Sequence, residues 1–133
     1  MQGCIFCKII KREIPGFIID EDEHLIVLVS LENHPLIVPK QHIQDIFSLD
    51  DDTASLIMKK AVQISLATKE ALASDGIYIT QANGAAAGQD VFHYHMHIYP
   101  KWMDKHILNT DPESRREVME KIKAQLNLSD PLT

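Results

Sequence analysis

The chain has 133 residues, 45% of them apolar and 24% charged, which suits one folded domain and argues against disordered or fibrous classes. Nineteen acidic against thirteen basic side chains leave a net charge of −6 with histidine neutral. That balance argues against nucleic acid as a partner, because backbone binding needs a basic surface that releases counterions. No apolar run approaches the roughly 20 residues that span a bilayer, and Met1 to Lys11 lacks the basic-then-apolar order of a secretory signal. No membrane association is expected, and the expected compartment is the cytoplasm.

In chain order, 17–19, 25–29 and 36–38 are short runs rich in β-branched residues, broken by Pro15-Gly16, Asp20 to Glu23 and Glu32-Asn33. They predict consecutive strands, and their short connections favour antiparallel pairing. A long helix is predicted from Ser48, with the acids at 50–52 at its positive end. Ala54, Ile57, Met58, Ala61, Ile64, Thr68, Ala71 and Leu72 recur at helical spacing along one face, and Gly76 is its expected left-handed cap. Strands follow at 77–80 and 92–100, separated by a loop of small residues over 81–89. Asp111-Pro112 opens a last helix, 111–127, with Val118, Met119, Ile122 and Leu126 as its buried stripe. The order predicts an α+β fold with a mainly antiparallel sheet, one long central helix and a C-terminal helix, in a single domain over 1–133.

The segment Phe92-His93-Tyr94-His95-Met96-His97-Ile98-Tyr99-Pro100 carries the chemistry. Alternation along a strand turns Phe92, Tyr94, Met96 and Ile98 one way and the three histidines the other, about 7 Å apart per step of two residues. A row of imidazoles serves either a shared metal ion or proton exchange and catalysis near neutral pH. The loop Asn83-Gly84-Ala85-Ala86-Ala87-Gly88-Gln89-Asp90 lies just before it, and small residues let backbone N–H groups approach an anion closely. A phosphate cradle beside a histidine row suggests phosphoryl or nucleotidyl transfer. Cys4-x-x-Cys7 suggests metal or redox chemistry, but no strand precedes it as a redox pair would require. The alternative is two free buried thiols. Lys40 reads as a solvated strand end, and His24 and His106 as surface residues.

These residues resemble the histidine triad (HIT) family, in the bacterial branch of its Hint-like members. The triad strand matches that family's His-φ-His-φ-His-φ-φ motif, where φ is apolar. Cys4 to Ile10, Glu13-Ile14-Pro15 and the run His34-Pro35-Leu36-Ile37-Val38-Pro39-Lys40-Gln41-His42 resemble its opening and its second motif, and Asn83-Gly84 and Gly88-Gln89 fit its pre-triad loop. The similarity spans about residues 4–101.

The resemblance implies a HIT-like fold, a homodimer paired through the long helix and strand 77–80, and binding of purine nucleotides. It implies hydrolysis of nucleoside phosphoramidates or related conjugates without a catalytic metal. His95 would be the nucleophile that forms a nucleotidyl-histidine. His97 would bond the phosphate oxygens or leaving group, and His34 would help fix tautomers. Ile5, Phe6, Asn83, Gln89, Asp90 and His97 would bind the nucleotide, with backbone N–H groups near Gln89 and Asp90 as phosphate donors. Cys4, Cys7, His42 and His93 would hold a structural zinc. The competing class is a zinc-stabilised nucleotide sensor with no turnover. The chain also departs from the family pattern. Ser30 stands where an aspartate binds the ribose, the loop 30–34 is about four residues short, and Ala82 replaces an asparagine. These departures imply weakened nucleoside recognition beside an intact triad.

Overall fold

The computed structural model describes residues 3–104 and 107–128; His106 lies outside them. The elements are α1 (Ile5–Ile10), β1 (Ile18–Glu21), β2 (Leu25–Val29), β3 (Pro35–Pro39), α2 (Asp51–Leu72), β4 (Gly76–Thr80), β5 (Met96–Lys101) and α3 (Pro112–Leu128). The five strands form one antiparallel sheet in the order β1-β2-β3-β5-β4. The fold is therefore α+β, as the element order predicts.

All five residues of β2, Leu-Ile-Val-Leu-Val, are buried, because both faces of the sheet are covered. Leu25, Val27 and Val29 join Ile57, Ala61 and Ile64 of α2 and Val118 and Ile122 of α3 in the larger core. Ile26 and Leu28 point the other way and pack with Leu36, Val38, Phe6 and Ile9 under α1. Each fully buried aliphatic side chain contributes about 1.5–3 kcal/mol. A continuous apolar run thus marks the strand that two layers share.

The predicted strands at 25–29, 36–38 and 77–80 lie within β2, β3 and β4; the first lies at 18–21 rather than 17–19. Several expectations are corrected. Ser48 sits in a 3₁₀ turn, Ile46–Ser48, and α2 is capped by Asp50, whose carboxylate accepts the Thr53 N–H at 3.0 Å. Ala73, not Gly76, is the left-handed C-cap (φ 50°), and Gly76 opens β4. Of the residues at helical spacing along α2, Ile57, Ala61, Ile64 and Thr68 are buried, whereas Met58 is 57% exposed. The triad strand begins at Met96, because the Tyr94 N–H turns aside to the Ile43 carbonyl at 2.7 Å. Phe92 is exposed, whereas Tyr94, Met96 and Ile98 face the larger core. The short helix α1 was not expected; the Cys4 Sγ caps it by accepting the Cys7 N–H at 3.4 Å. Lys40, half-buried at the end of β3, pairs with Glu21 at 2.8 Å.

Candidate functional site

The site lies on the α1 face of the sheet, where three short segments meet. They are the α1 cap, the β2–β3 turn Ser30–His34 and the bend that carries His93 and His95 into β5. The turn is closed by two backbone bonds, Ser30 N–H to His34 O at 2.8 Å and Asn33 N–H to Ser30 O at 3.0 Å. Asn33 adopts a left-handed φ of 67°, which asparagine tolerates better than most residues. The register of β3 on β5 sets Leu36 opposite His97, so His34 arrives beside the triad.

Cys4, Cys7, His42 and His93 converge, their ligand atoms all within 4.8 Å of one another. Cys4 Sγ lies 3.2 Å from His93 Nδ1, Cys7 Sγ lies 3.3 Å from His42 Nδ1, and the two Nδ1 atoms are 3.1 Å apart. A tetrahedral zinc with Zn–S near 2.3 Å and Zn–N near 2.0 Å separates its ligands by about 3.3–3.8 Å, so the cluster fits that ion. His93 is fully buried, and its Nε2–H donates to the Pro39 carbonyl at 2.8 Å. That bond leaves the Nδ1 lone pair aimed into the cluster, as in an oriented metal ligand. Burial, followed by contact with Cys4, pushes the Cys7 thiol up, and burial pulls His42 and His93 down, His93 to about 4. The geometry joins the four residues in one Cys₂His₂ set and separates His93 from its two triad neighbours.

His95 is buried, and its Nδ1–H donates to the His93 carbonyl at 2.7 Å. A carbonyl only accepts, so Nδ1 carries a proton, and in the neutral ring Nε2 keeps its lone pair. Phe6 packs on the ring at a centroid distance of 5.0 Å. The Asp90 carboxylate lies 3.6 Å from Nε2. His97 Nδ1 meets His34 Nε2 at 2.8 Å, and His34 Nδ1 meets Ser30 Oγ at 3.0 Å. Tyr99 stacks on His34 at 3.9 Å. Burial pulls the His34 pKa down to about 3, helped by His97 and Lys101. Burial also lowers His97, followed by His95, while Asp90 and Glu32 act in the opposite direction.

A cavity of about 370 Å³ opens onto His95 and His97 and is lined by Ile5, Phe6, Phe17, Glu32, Asp90 and Arg115 among others. Ile5, Phe6, Asp90, His95 and His97 thus share one space. Asn83 and Gln89 do not line it. Asn83 Oδ1 accepts the Ile46 N–H at 2.7 Å, and its amide pairs with Gln81. The buried Gln89 side chain bonds Gly84 N, Gln44 O and Val91 O, and its own N–H goes to the Gly84 carbonyl at 3.1 Å. Both residues brace the loop from within. Arg115, whose guanidinium lies 5.2 Å over the Phe17 ring, was missed. It comes from α3, which carries no motif, and only the docking of that helix brings it to the cavity. His24 is exposed, as expected.

Ser30 lines the cavity wall, yet its hydroxyl is occupied by the turn: Oγ accepts from Glu32 N at 3.2 Å and His34 N at 3.1 Å, besides its contact with His34 Nδ1. Among the described residues no helix is long and apolar enough to cross a membrane.

Residues 11–103 match the model of the HIT domain. The chain is 36% identical over 105 residues to the protein named hit from Bacillus subtilis, covering 76% of this chain and 72% of that one. It is 33% identical over 131 residues to an adenylylsulfatase from Arabidopsis thaliana, covering 88% of this chain and 66% of the relative. A zinc-bound histidine triad family protein from Mycobacterium smegmatis superposes with a TM-score of 0.89 at 30% identity, covering 99% of both chains. With the triad, the Cys₂His₂ cluster and the sheet order all in place, the chain belongs to the HIT family.

Proposed function

We propose that the protein hydrolyses nucleotide conjugates, purine nucleoside phosphoramidates foremost, through a nucleotidyl-histidine on His95. The observation that carries this reading is the bond from His95 Nδ1–H to the His93 carbonyl. It leaves Nε2 as an unprotonated nucleophile beside the cavity, where a bound phosphorus could be attacked. The P–N bond breaks as the Nε2–P bond forms, the amine leaves with a proton drawn from solvent, and water then cleaves Nε2–P, returning a proton to solvent and releasing the nucleoside monophosphate. While nucleotidylated, the ring keeps its Nδ1 proton and is cationic. The Asp90 carboxylate, 3.6 Å from Nε2, and the His93 carbonyl both favour that charge. Ile5 and Phe6 offer an apolar wall suited to a base, and Arg115 offers a cation. The HIT fold is that of nucleotide-binding hydrolases, and the name of the Arabidopsis relative places an adenylyl group in that protein's substrate.

Cys4, Cys7, His42 and His93 would hold a structural zinc. Four protein ligands fill a closed tetrahedral site, so the ion would anchor α1 to the bend before His95 rather than meet substrate. The zinc-bound Mycobacterium relative supports the assignment. The chain would act as a homodimer, supported by the exposed apolar side chains of α2 and β4.

Purified protein should hydrolyse adenosine phosphoramidate. His95→Asn should abolish turnover while nucleotide binding by calorimetry persists, and retention of more than a few per cent of activity would remove His95 from the role. Nucleotide binding by the wild type without any hydrolysis would favour the sensor.

A further inference from the structure

The β2–β3 turn leaves one chemical detail over-determined. A serine oxygen has two lone pairs and one hydrogen. At Ser30 both lone pairs are taken, by the backbone N–H groups of Glu32 and His34 at 3.2 and 3.1 Å. The remaining O–H can only be given to His34 Nδ1, 3.0 Å away. A neutral imidazole that accepts at Nδ1 carries its proton on Nε2, so His34 donates to His97 Nδ1 at 2.8 Å. His97 in turn must carry its proton on Nε2. The reverse polarity would require the Ser30 oxygen to accept a third bond.

We propose that Ser30 is a positioning residue whose hydroxyl, through His34, fixes His97 as the neutral tautomer that presents Nε2–H to the phosphate of the substrate. The proposal rests on the hydrolase reading for the identity of the acceptor, but the tautomers belong to the free protein.

The chain of bonds gives the two histidines facing the cavity opposite polarity. His95 offers a bare Nε2, because a carbonyl holds its Nδ1–H, and His97 offers an N–H, because an imidazole holds its Nδ1 as acceptor. Their ring centres are 5.0 Å apart, so one phosphoryl group spans them, attacked at phosphorus by one and bonded at oxygen by the other. Burial keeps His34 and His97 neutral. His34 is 2% exposed with a pKa held near 3 by burial, with Tyr99 stacked on it and Lys101 adding positive charge nearby. Around His97, burial and His95 favour the neutral ring, against Asp90 and Glu32. Charging His97 at Nδ1 would also set its new N–H against the His34 N–H. A carboxylate at position 30 would invert this arrangement. It only accepts, so it would take the proton of His34 on Nδ1, leave His34 Nε2 as an acceptor and favour a protonated Nδ1 on His97.

The test is long-range ¹H–¹⁵N correlation of the histidine rings in full-length, zinc-loaded protein, with kinetics on adenosine phosphoramidate. In the wild type and in Ser30→Thr, His34 and His97 should both be Nε2–H tautomers. In Ser30→Asp, His34 should become Nδ1–H, the His97 titration should move up by about one pH unit or more, and kcat at pH 7 should fall at least about tenfold with a smaller change in KM. Ser30→Ala, which retains no side-chain oxygen, should give a mixture of His34 tautomers, and it serves if Ser30→Asp does not fold. An Nδ1–H His34 in the wild type, or unchanged tautomers in both Ser30→Asp and Ser30→Ala, overturns the proposal. Correct tautomers in a wild type that cleaves no nucleotide conjugate would leave the donor assignment supported and sink the hydrolase reading instead.

Discussion

His34 shows what burial does to one side chain. Its pKa falls from 6.5 to about 3, so the folded chain refuses a proton that the unfolded chain accepts. Between those two values the unfolded state binds more protons, and stability must fall as pH falls, by about 1.4 kcal/mol per pH unit. From pH 6.5 to 5 this amounts to about 1.6 kcal/mol, because the unfolded imidazole is only half protonated at pH 6.5. Urea midpoints should therefore drop over that range in the wild type and drop less in His34→Gln. Equal slopes would detach the effect from His34. In the sequence, the histidines and the face they occupy were legible, because alternation needs only the order of residues. Their partners were not. The Ser30–His34 bond depends on a tight turn with Asn33 left-handed, and Arg115 reaches the cavity only because α3 packs on α2 and β1.

Among the elements, legibility follows burial. The run Leu25–Val29 was readable because two covered faces demand five apolar residues in succession. The ends of α2 were less so, since Ser48 and Asp50 are both good caps and only the local fold chooses between them. The helix α1 escaped notice because six residues with three isoleucines have little helical propensity of their own. Its stability must come from packing and from the cysteines at its start. If the Cys₂His₂ set is a zinc site, purified protein carries about one zinc per chain. Cys4→Ser should then lower both the metal content and the melting temperature, the latter by at least about 5 °C, since site formation contributes folding energy. Metal-free protein with unchanged melting would remove zinc from the account.

At the scale of the molecule, α2 and the edge strand β4 both expose apolar side chains. Met58, Val62 and Leu66, four residues apart along α2, are 57%, 54% and 61% exposed, and Tyr78 and Ile79 of the edge strand β4 are 55% and 41% exposed. Among the described residues β4 is a sheet edge, and such an edge and such an apolar stripe are surfaces that a second copy of the chain would cover. Light scattering at micromolar concentration should give the mass of a dimer, and Leu66→Glu should give that of a monomer; a monomeric wild type would contradict the assembly. The carboxylates of Glu32 and Asp90 at the cavity carry a different consequence. A phosphoramidate monoester brings one negative charge to that opening, whereas the nucleoside monophosphate formed from it carries nearly two once its second proton, with a pKa of about 6, is lost. If the chain hydrolyses such conjugates, the same two side chains would repel the outgoing product more than the incoming conjugate and so favour its release. The inhibition constant for adenosine monophosphate should rise about fivefold, on the order of 1 kcal/mol of added repulsion, between pH 5.5 and 7.5. Asp90→Asn should flatten that rise, and a product that binds equally well at both pH values would show that release is governed by something other than charge.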